Sequence, residues 1–315
     1  MASVGLLLDE RFRRHNTGDG HPEAPARLAV ICAALEKAGL TEVTTPIEAR
    51  PAPDALLLHV HTREYLTRLD AACRQGYPYI DVPDSAICPE SFEIARLAAG
   101  GVVEAARRIA GGELRRAFCA VRPPGHHAER DRSMGFCLLN NIAIAACVLR
   151  HEFKLDRLAI VDFDVHHCNG TQHTFEAEPA VLVISLHGHP NYLYPGTGQE
   201  DEVGVGPGRG YTMNIAFRPG AGDAEYREAF NTRIAPALGR FAPQFLLVSA
   251  GFDAHADDPL GNLALSDAAF GEMADALVGL AERHAQGRLL SVLDGGYDHG
   301  VLTRCVPEHV RRLLS

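Results

Sequence analysis

Two hydrophobic rhythms alternate along this chain. Short apolar runs or strand-like segments occupy residues 6–8, 117–121, 158–161, 181–185, 211–216, 245–249 and 289–293, that at 158–161 being branched and uninterrupted. Runs of that length with no polar face are what strands buried on both sides of a parallel sheet require. Between them apolar residues recur at three- and four-residue spacing, which predicts helices near 22–38, 62–74, 90–109, 139–153, 224–241, 267–284 and 301–314. The first carries a proline near its start and stops at Gly39, the usual asymmetry of helix ends. Strands alternating with helices predict an α/β fold with a mostly parallel central sheet flanked by helices. No linker, repeat or shift of composition divides the chain, so residues 1–315 are expected to form a single domain.

Polar residues gather where the apolar runs end. Residues 158–161 lead into Asp162-Phe163-Asp164-Val165-His166-His167, in which Asp162, Asp164 and His166 alternate and so face one way at a strand end. His126 and His127 follow residues 117–121, Asp253 follows 245–249, and Tyr297 follows 289–293. In a parallel sheet all four ends meet on one rim, where open α/β sheets carry their sites. Asp164, His166 and Asp253 suit a catalytic zinc with one position open to water and a substrate oxygen. His126 and His127 offer imidazoles for a base that deprotonates water and an acid that protonates a leaving amine. Tyr297, after two permissive glycines, can donate its hydroxyl to a developing oxyanion.

Blander readings exist for each group. Asp162 and Asp164 suit helix caps, the histidines suit ordinary loops, and Tyr297 suits a core position with one bonded hydroxyl. Convergence of four strand ends is what favours chemistry. His167 and His255 read as residues that orient loops, with His187 and His189 near the expected site. The glycine-rich stretch 204–210 lacks the lysine and helix of a phosphate loop.

Composition narrows the setting. With 315 residues, 46% of them hydrophobic, the chain can bury a large core. No apolar stretch approaches the roughly 20 residues of a membrane helix. The first ten residues lack the basic flank and the length of a secretory signal, so a cytoplasmic protein is expected. The eight cysteines form no Cys-x-x-Cys pair and read as small buried hydrophobes, not a disulfide framework. Forty acidic against 30 basic residues give a net charge of −10, a field that repels nucleic acid and favours cationic ligands.

Five segments then become specific together: Arg122-Pro123-Pro124-Gly125-His126-His127-Ala128; Gly135-Phe136-Cys137 through Asn140-Asn141; Asp162 through Asn169-Gly170-Thr171; Ser249-Ala250-Gly251-Phe252-Asp253 with Asp258-Pro259-Leu260-Gly261; and Gly295-Gly296-Tyr297. In order and spacing they resemble the motifs of the histone deacetylase family, and Gly20-His21-Pro22-Glu23 with Arg27-Leu28 extends the resemblance over nearly the whole chain. Asn169 and the Gly-Phe-Asp form resemble the class II enzymes and their bacterial relatives. The resemblance implies an arginase/deacetylase-like fold and a zinc-dependent deacetylase acting on acyl-lysine. Acetylpolyamines are the rival substrate.

By the same resemblance Asp164, His166 and Asp253 match the ligands of one zinc ion, and His127 matches the general base and acid. His126 matches its electrostatic partner, Asp162 the carboxylate orienting His126, Asn169 the residue contacting the second histidine, and Tyr297 the carbonyl-polarising tyrosine. Gly135, Phe136 and Tyr194 match the walls of a narrow acyl-lysine tunnel, with Leu260 at its mouth. A structural potassium ion is implied near Asp162, Asp164, His166, Ser185 and Leu186.

The chain departs from the family pattern in three places. Cys168 stands where glycine is usual, Tyr194 where phenylalanine is frequent, and the region 77–90 is short, with Asp84 a candidate rim carboxylate. Two further functions stay open on the sequence: a two-manganese ureohydrolase on the same fold, for which Asp253-Ala254-His255 lacks a bridging acid, and a non-catalytic acyl-amine binding protein.

Overall fold

In the computed structural model, which describes residues 3–315, the apolar runs become strands of one sheet. The strands are β1 (Ser3–Leu7), β2 (Thr45–Pro46), β3 (Leu114–Cys119), β4 (Leu158–Asp162), β5 (Val181–Gly188), β6 (Thr212–Phe217), β7 (Phe245–Ala250) and β8 (Leu289–Leu293). Their order is β2-β1-β3-β8-β7-β4-β5-β6, and every pairing is parallel. Every residue of β4, β5, β7 and β8 is buried, the physical reason these segments read as unbroken apolar runs. The unexpected strand is β2, two residues long and ending on a proline at the sheet's edge, where the missing N–H breaks no ladder.

Helices cover the sheet. Ser91–Ala110 packs on β3 and on Asn141–Phe153, while His299–Leu313 packs on Pro25–Lys37 and Asp267–His284. Local chemistry sets their starts: Thr62, Asn140 and Asp298 accept from the backbone N–H three residues on. Two expected helices change. The first begins at Pro25 instead of Pro22, because a residue ahead of a proline disfavours helical backbone. The one expected over 224–241 divides into Asp223–Ala229, a π-helical turn Phe230–Ile234 and Ala235–Phe241. Pro236, the second residue of the last segment, lacks an N–H and interrupts the regular ladder.

The four strands that end in polar residues, β3, β8, β7 and β4, are consecutive in the sheet. Asp162 lies in register with Ser249 on β7 and Ser185 on β5. The carboxyl ends of these strands therefore open onto one rim. Among the described residues no helix is long and apolar enough to cross a membrane.

Candidate active site

Beyond Asp162 the chain leaves the sheet with each acidic side chain bonded to the backbone ahead of it. Asp164 N–H donates to Asp162 Oδ1 at 3.1 Å, and His166 N–H to Asp164 Oδ1 at 2.9 Å. From the neighbouring loops Gly295 N–H donates to Asp164 Oδ2 at 2.7 Å, and Val165 N–H to Asp253 Oδ1 at 2.8 Å. Asp253 Oδ2 receives no hydrogen bond; His166 Nδ1 lies 3.2 Å from it and 3.1 Å from Asp164 Oδ1. One donor atom from each of Asp164, His166 and Asp253 falls within 4.8 Å of the other two.

This donor set fits a divalent cation. Burial and then the Asp164 charge push the Asp253 carboxyl up to about 7, a repulsion that a cation would relieve. At Asp164 burial opposes ionisation, yet His126 and His166 hold the carboxyl well below its usual range. The surrounding backbone leaves the carboxylates room: a Cβ on Gly251 would lie 2.2 Å from Asp164 Oδ2, and one on Gly295 would lie 2.1 Å from Asp253 Oδ2.

The tandem histidines are held differently from one another. His126 Nδ1 lies 3.1 Å from Asp162 Oδ2, and His127 Nδ1 lies 2.6 Å from Asn169 Oδ1. The two rings sit 4.1 Å apart. Burial opposes charge on His126, but Asp164, Asp162 and Asp294 together hold it protonated well above the ordinary range. Burial, then the His126 and His166 imidazoles, push His127 well below that range. The surroundings thus push the two adjacent rings in opposite directions.

Above them a cavity of about 230 Å³ is walled by Gly135, Phe136, Leu193, Tyr194, Leu260 and Tyr297, with His127 and His166 at its base and Asp84 also on its wall. All four residues expected to form the tunnel therefore line it. Gly135 and Phe136 both have positive φ, and a Cβ at Gly135 would meet His127 Cδ2 at 2.2 Å. A bulky residue in that backbone region is a genuine outlier, and here the twist lays the Phe136 ring edge-on to Tyr297 at 5.7 Å. Tyr297 is fixed through its N–H to Asp258 Oδ2 at 2.6 Å, and burial keeps its phenol protonated far above the usual range. A larger groove of about 650 Å³ between the 46–56 segment and Ser91–Ala110 gathers no comparable reactive set.

The supporting roles of several residues are not legible in the sequence. Asp294 Oδ1 accepts from Gly125 and His126 N–H at 2.8 and 3.2 Å, tying the histidine loop to the end of β8. Arg27 donates to the Asp294 and Gly296 carbonyls, both at 2.6 Å, and places its guanidinium over the Tyr297 ring at 4.9 Å. Glu129 accepts from Asn169 Nδ2 at 2.6 Å. Asp294 was the findable one, an acid closing an apolar run just as Asp162 does. His187 and His189, expected near the site, do not line the tunnel; His187 contacts Ser185 Oγ and the Gly198 carbonyl, both at 2.9 Å.

All eight cysteines are free, and Cys88 is the one not buried. Cys168 is fully buried, and burial pushes its thiol well above the ordinary range. Native alkylation followed by peptide mass spectrometry should therefore modify Cys88 first and spare Cys168, and Cys168→Gly should leave peroxide sensitivity unchanged. Early labelling of Cys168 would make it a reactive thiol after all.

Comparison with known proteins agrees with this geometry. Residues 21–313 match the family model described as "Histone deacetylase domain". The chain is 41% identical over 297 residues to a "Probable deacetylase" of Archaeoglobus fulgidus, covering 93% of this chain and 81% of that protein. It is 39% identical over 286 residues to the "Histone deacetylase-like amidohydrolase" of Pseudomonas aeruginosa, covering 91% and 75%. The crystal structure of the HDA15 HD domain superimposes with a TM-score of 0.94 at 38% identity, over 100% of this chain and 90% of that one. The chain spans about half the length of several eukaryotic relatives, 46% and 45% in two of them. A family model matching residues 21–313, together with relatives 41% and 39% identical over most of their length, places this chain in the histone deacetylase family.

Proposed function

We propose that the protein is a zinc-dependent amidohydrolase that removes acetyl or other acyl groups from a primary amine on a long aliphatic arm, with acyl-lysine in peptides or proteins as its first substrate class. The observation that carries the reading is a mostly apolar cavity with His127 and His166 at its base, His166 being one of three convergent metal-type ligands. One zinc ion held by Asp164, His166 and Asp253 would supply Lewis acidity toward the amide carbonyl and water. The tunnel walls, Phe136 and Tyr194 among them, hold the alkyl arm and exclude bulk water.

His127 Nε2 takes a proton from water as its oxygen bonds to the carbonyl carbon. The Tyr297 hydroxyl donates a hydrogen bond to the oxygen that gains negative charge. His127 then delivers its proton to the amine nitrogen as the C–N bond breaks, releasing amine and carboxylic acid. His126, charged and bonded to Asp162, sets the potential around that transfer, and Asn169 holds the far nitrogen of His127. A potassium ion near Asp162, Asp164, His166, Ser185 and Leu186 belongs to the same reading, supported by Asp162 and Ser185 lying opposite one another in the sheet. A second catalytic metal has no support, because His255 Nε2 is already on Asp267 Oδ1 at 2.9 Å.

Acetylpolyamines are the second reading, favoured by the Asp84 carboxylate on the tunnel wall, whereas Leu260 is neutral toward a second ammonium. Hydrolysis of a fluorogenic acetyl-lysine peptide is expected to vanish with a chelator and return with zinc. Its kcat/KM should exceed those for acetylputrescine and acetylspermidine. A polyamine preference of about tenfold, ~1.4 kcal/mol, would reassign the substrate, and metal-replete protein inert toward every acyl-amine would end the amidohydrolase reading.

A further inference from the structure

The amide of Asn169 stands between His127 and a carboxylate that no motif assigns. Its Oδ1 lies 2.6 Å from His127 Nδ1, while its Nδ2 donates to Glu129 Oε1 at 2.6 Å and to the His127 carbonyl at 3.2 Å. Glu129 Oε1 is met in turn by His173 Nδ1 at 2.8 Å. Glu129 is buried, whereas 42% of the His173 side chain is exposed, so the chain of contacts runs from the reacting histidine to the surface.

Chemistry fixes the direction of every bond in this chain. An ionised carboxylate and a backbone carbonyl can only accept. The Asn169 NH₂ must therefore face Glu129 and the His127 carbonyl, which turns the Asn169 oxygen toward His127 Nδ1. An amide oxygen can only accept, so Nδ1 carries the proton and Nε2 keeps its lone pair. Without Glu129 the amide can turn over and offer NH₂ to Nδ1, stabilising the tautomer whose Nε2 is protonated and cannot act as a base. Orientation of an Asn and the tautomer of its His partner are then one linked choice.

We propose that Glu129, braced by His173, is a positioning residue that locks the Asn169 amide and thereby holds His127 in the tautomer with a free Nε2. This rests on the amidohydrolase reading for its consequence in turnover, but the tautomer itself is measurable without turnover. Glu129 acts through Asn169 and touches no substrate.

The test is a double-mutant cycle at positions 129 and 169 combined with nitrogen NMR of histidine-labelled, zinc-replete protein, the His127 signals being assigned by their loss in His127→Ala. Glu129→Ala should lower kcat by about 10- to 100-fold with KM changed less than about twofold, and its His127 resonances should move from the Nδ1–H form to a mixture. Glu129→Gln keeps an acceptor for the Asn169 NH₂ and should retain most of kcat. In Asn169→Asp two carboxylates face each other, and there Glu129→Gln supplies a donor to Asp instead; in that background it should raise kcat. A side chain that only fills space would change kcat by the same factor in both backgrounds, because the coupling would be zero. Equal factors, or an unchanged Nδ1–H tautomer in Glu129→Ala, overturn the proposal. If the wild-type protein hydrolyses no acyl-amine, the amidohydrolase reading falls, while the nitrogen shifts still decide the role of Glu129.

Discussion

Replacing His127 by alanine is expected to lower kcat on an acyl-amine by about 10²- to 10⁴-fold, the span for loss of a positioned general acid and base. Metal content and KM should stay near wild type, since His127 is not among the three convergent ligands and the tunnel walls remain. The neighbouring imidazole cannot take over. His126 is held charged by burial-defying contact with Asp164, Asp162 and Asp294, and its Nδ1 is committed to Asp162. A charged ring has no lone pair for water. Tyr297→Phe should cost about 10²- to 10³-fold, the effect of deleting one donor to an oxyanion, because the phenol enters the reaction only as a hydrogen-bond donor. Steady-state kinetics on metal-quantified protein separate these cases. A His127→Ala enzyme within about tenfold of wild type would remove His127 from proton transfer altogether.

The candidate groups could be picked out because they follow the ends of buried strands, and Asp162, Asp164 and His166 also keep a two-residue alternation in the sequence. Strand β8 and the helix Asp267–His284 appear with their expected bounds, since both carry unbroken periodicity to their ends. What escaped has a common cause. The Asn169–Phe175 helix is seven polar-rich residues long, too short to show a period. The break near Pro236 concerns which bonds replace a missing N–H, and composition alone does not say whether the helix kinks or ends. Glu129 lies 40 residues from Asn169, Arg122 lies 99 from Glu23, and Arg27 lies 269 from Gly296. Only the folded topology brings such partners together. The candidate ligands are therefore legible locally, while the residues that aim them are not.

Glu23→Ala should cause the largest loss of stability, about 3–5 kcal/mol, the range for removing one partner of a buried ion pair. Glu23, Arg27 and Arg122 are fully buried. Arg122 meets both carboxylate oxygens at 2.6 and 2.7 Å, and Arg27 Nη1 meets Oε1 at 3.0 Å. Without the carboxylate two guanidiniums face each other out of water. Burial opposes the Glu23 charge, but Arg122 and Arg27 outweigh it and hold the carboxyl at about 2, below the ordinary 4.5. A depressed folded value means that Glu23 contributes its full stability, on the order of 3 kcal/mol, above about pH 4.5 and loses it as pH falls through about 2. His15, whose Nε2 lies 3.7 Å from Glu23, adds a second window of the same sign. Burial lowers its imidazole to about 4, so the unfolded chain binds a proton between pH 6.5 and 4 that the fold refuses, and stability falls there too. Urea unfolding across pH should show a shallower loss of stability below pH 4.5 in Glu23→Ala than in the wild type, because Asp164 and other depressed carboxyls remain while the Glu23 share is gone. Parallel curves below pH 4.5 would mean that Glu23 carries no linked charge. The consequence reaches the site, because Arg27 grips the carbonyls on either side of Gly295 and Arg122 opens the histidine loop. Glu23 joins the loop that carries His127 to the loop that carries Tyr297, so its loss should reduce kcat under conditions where the protein is still folded.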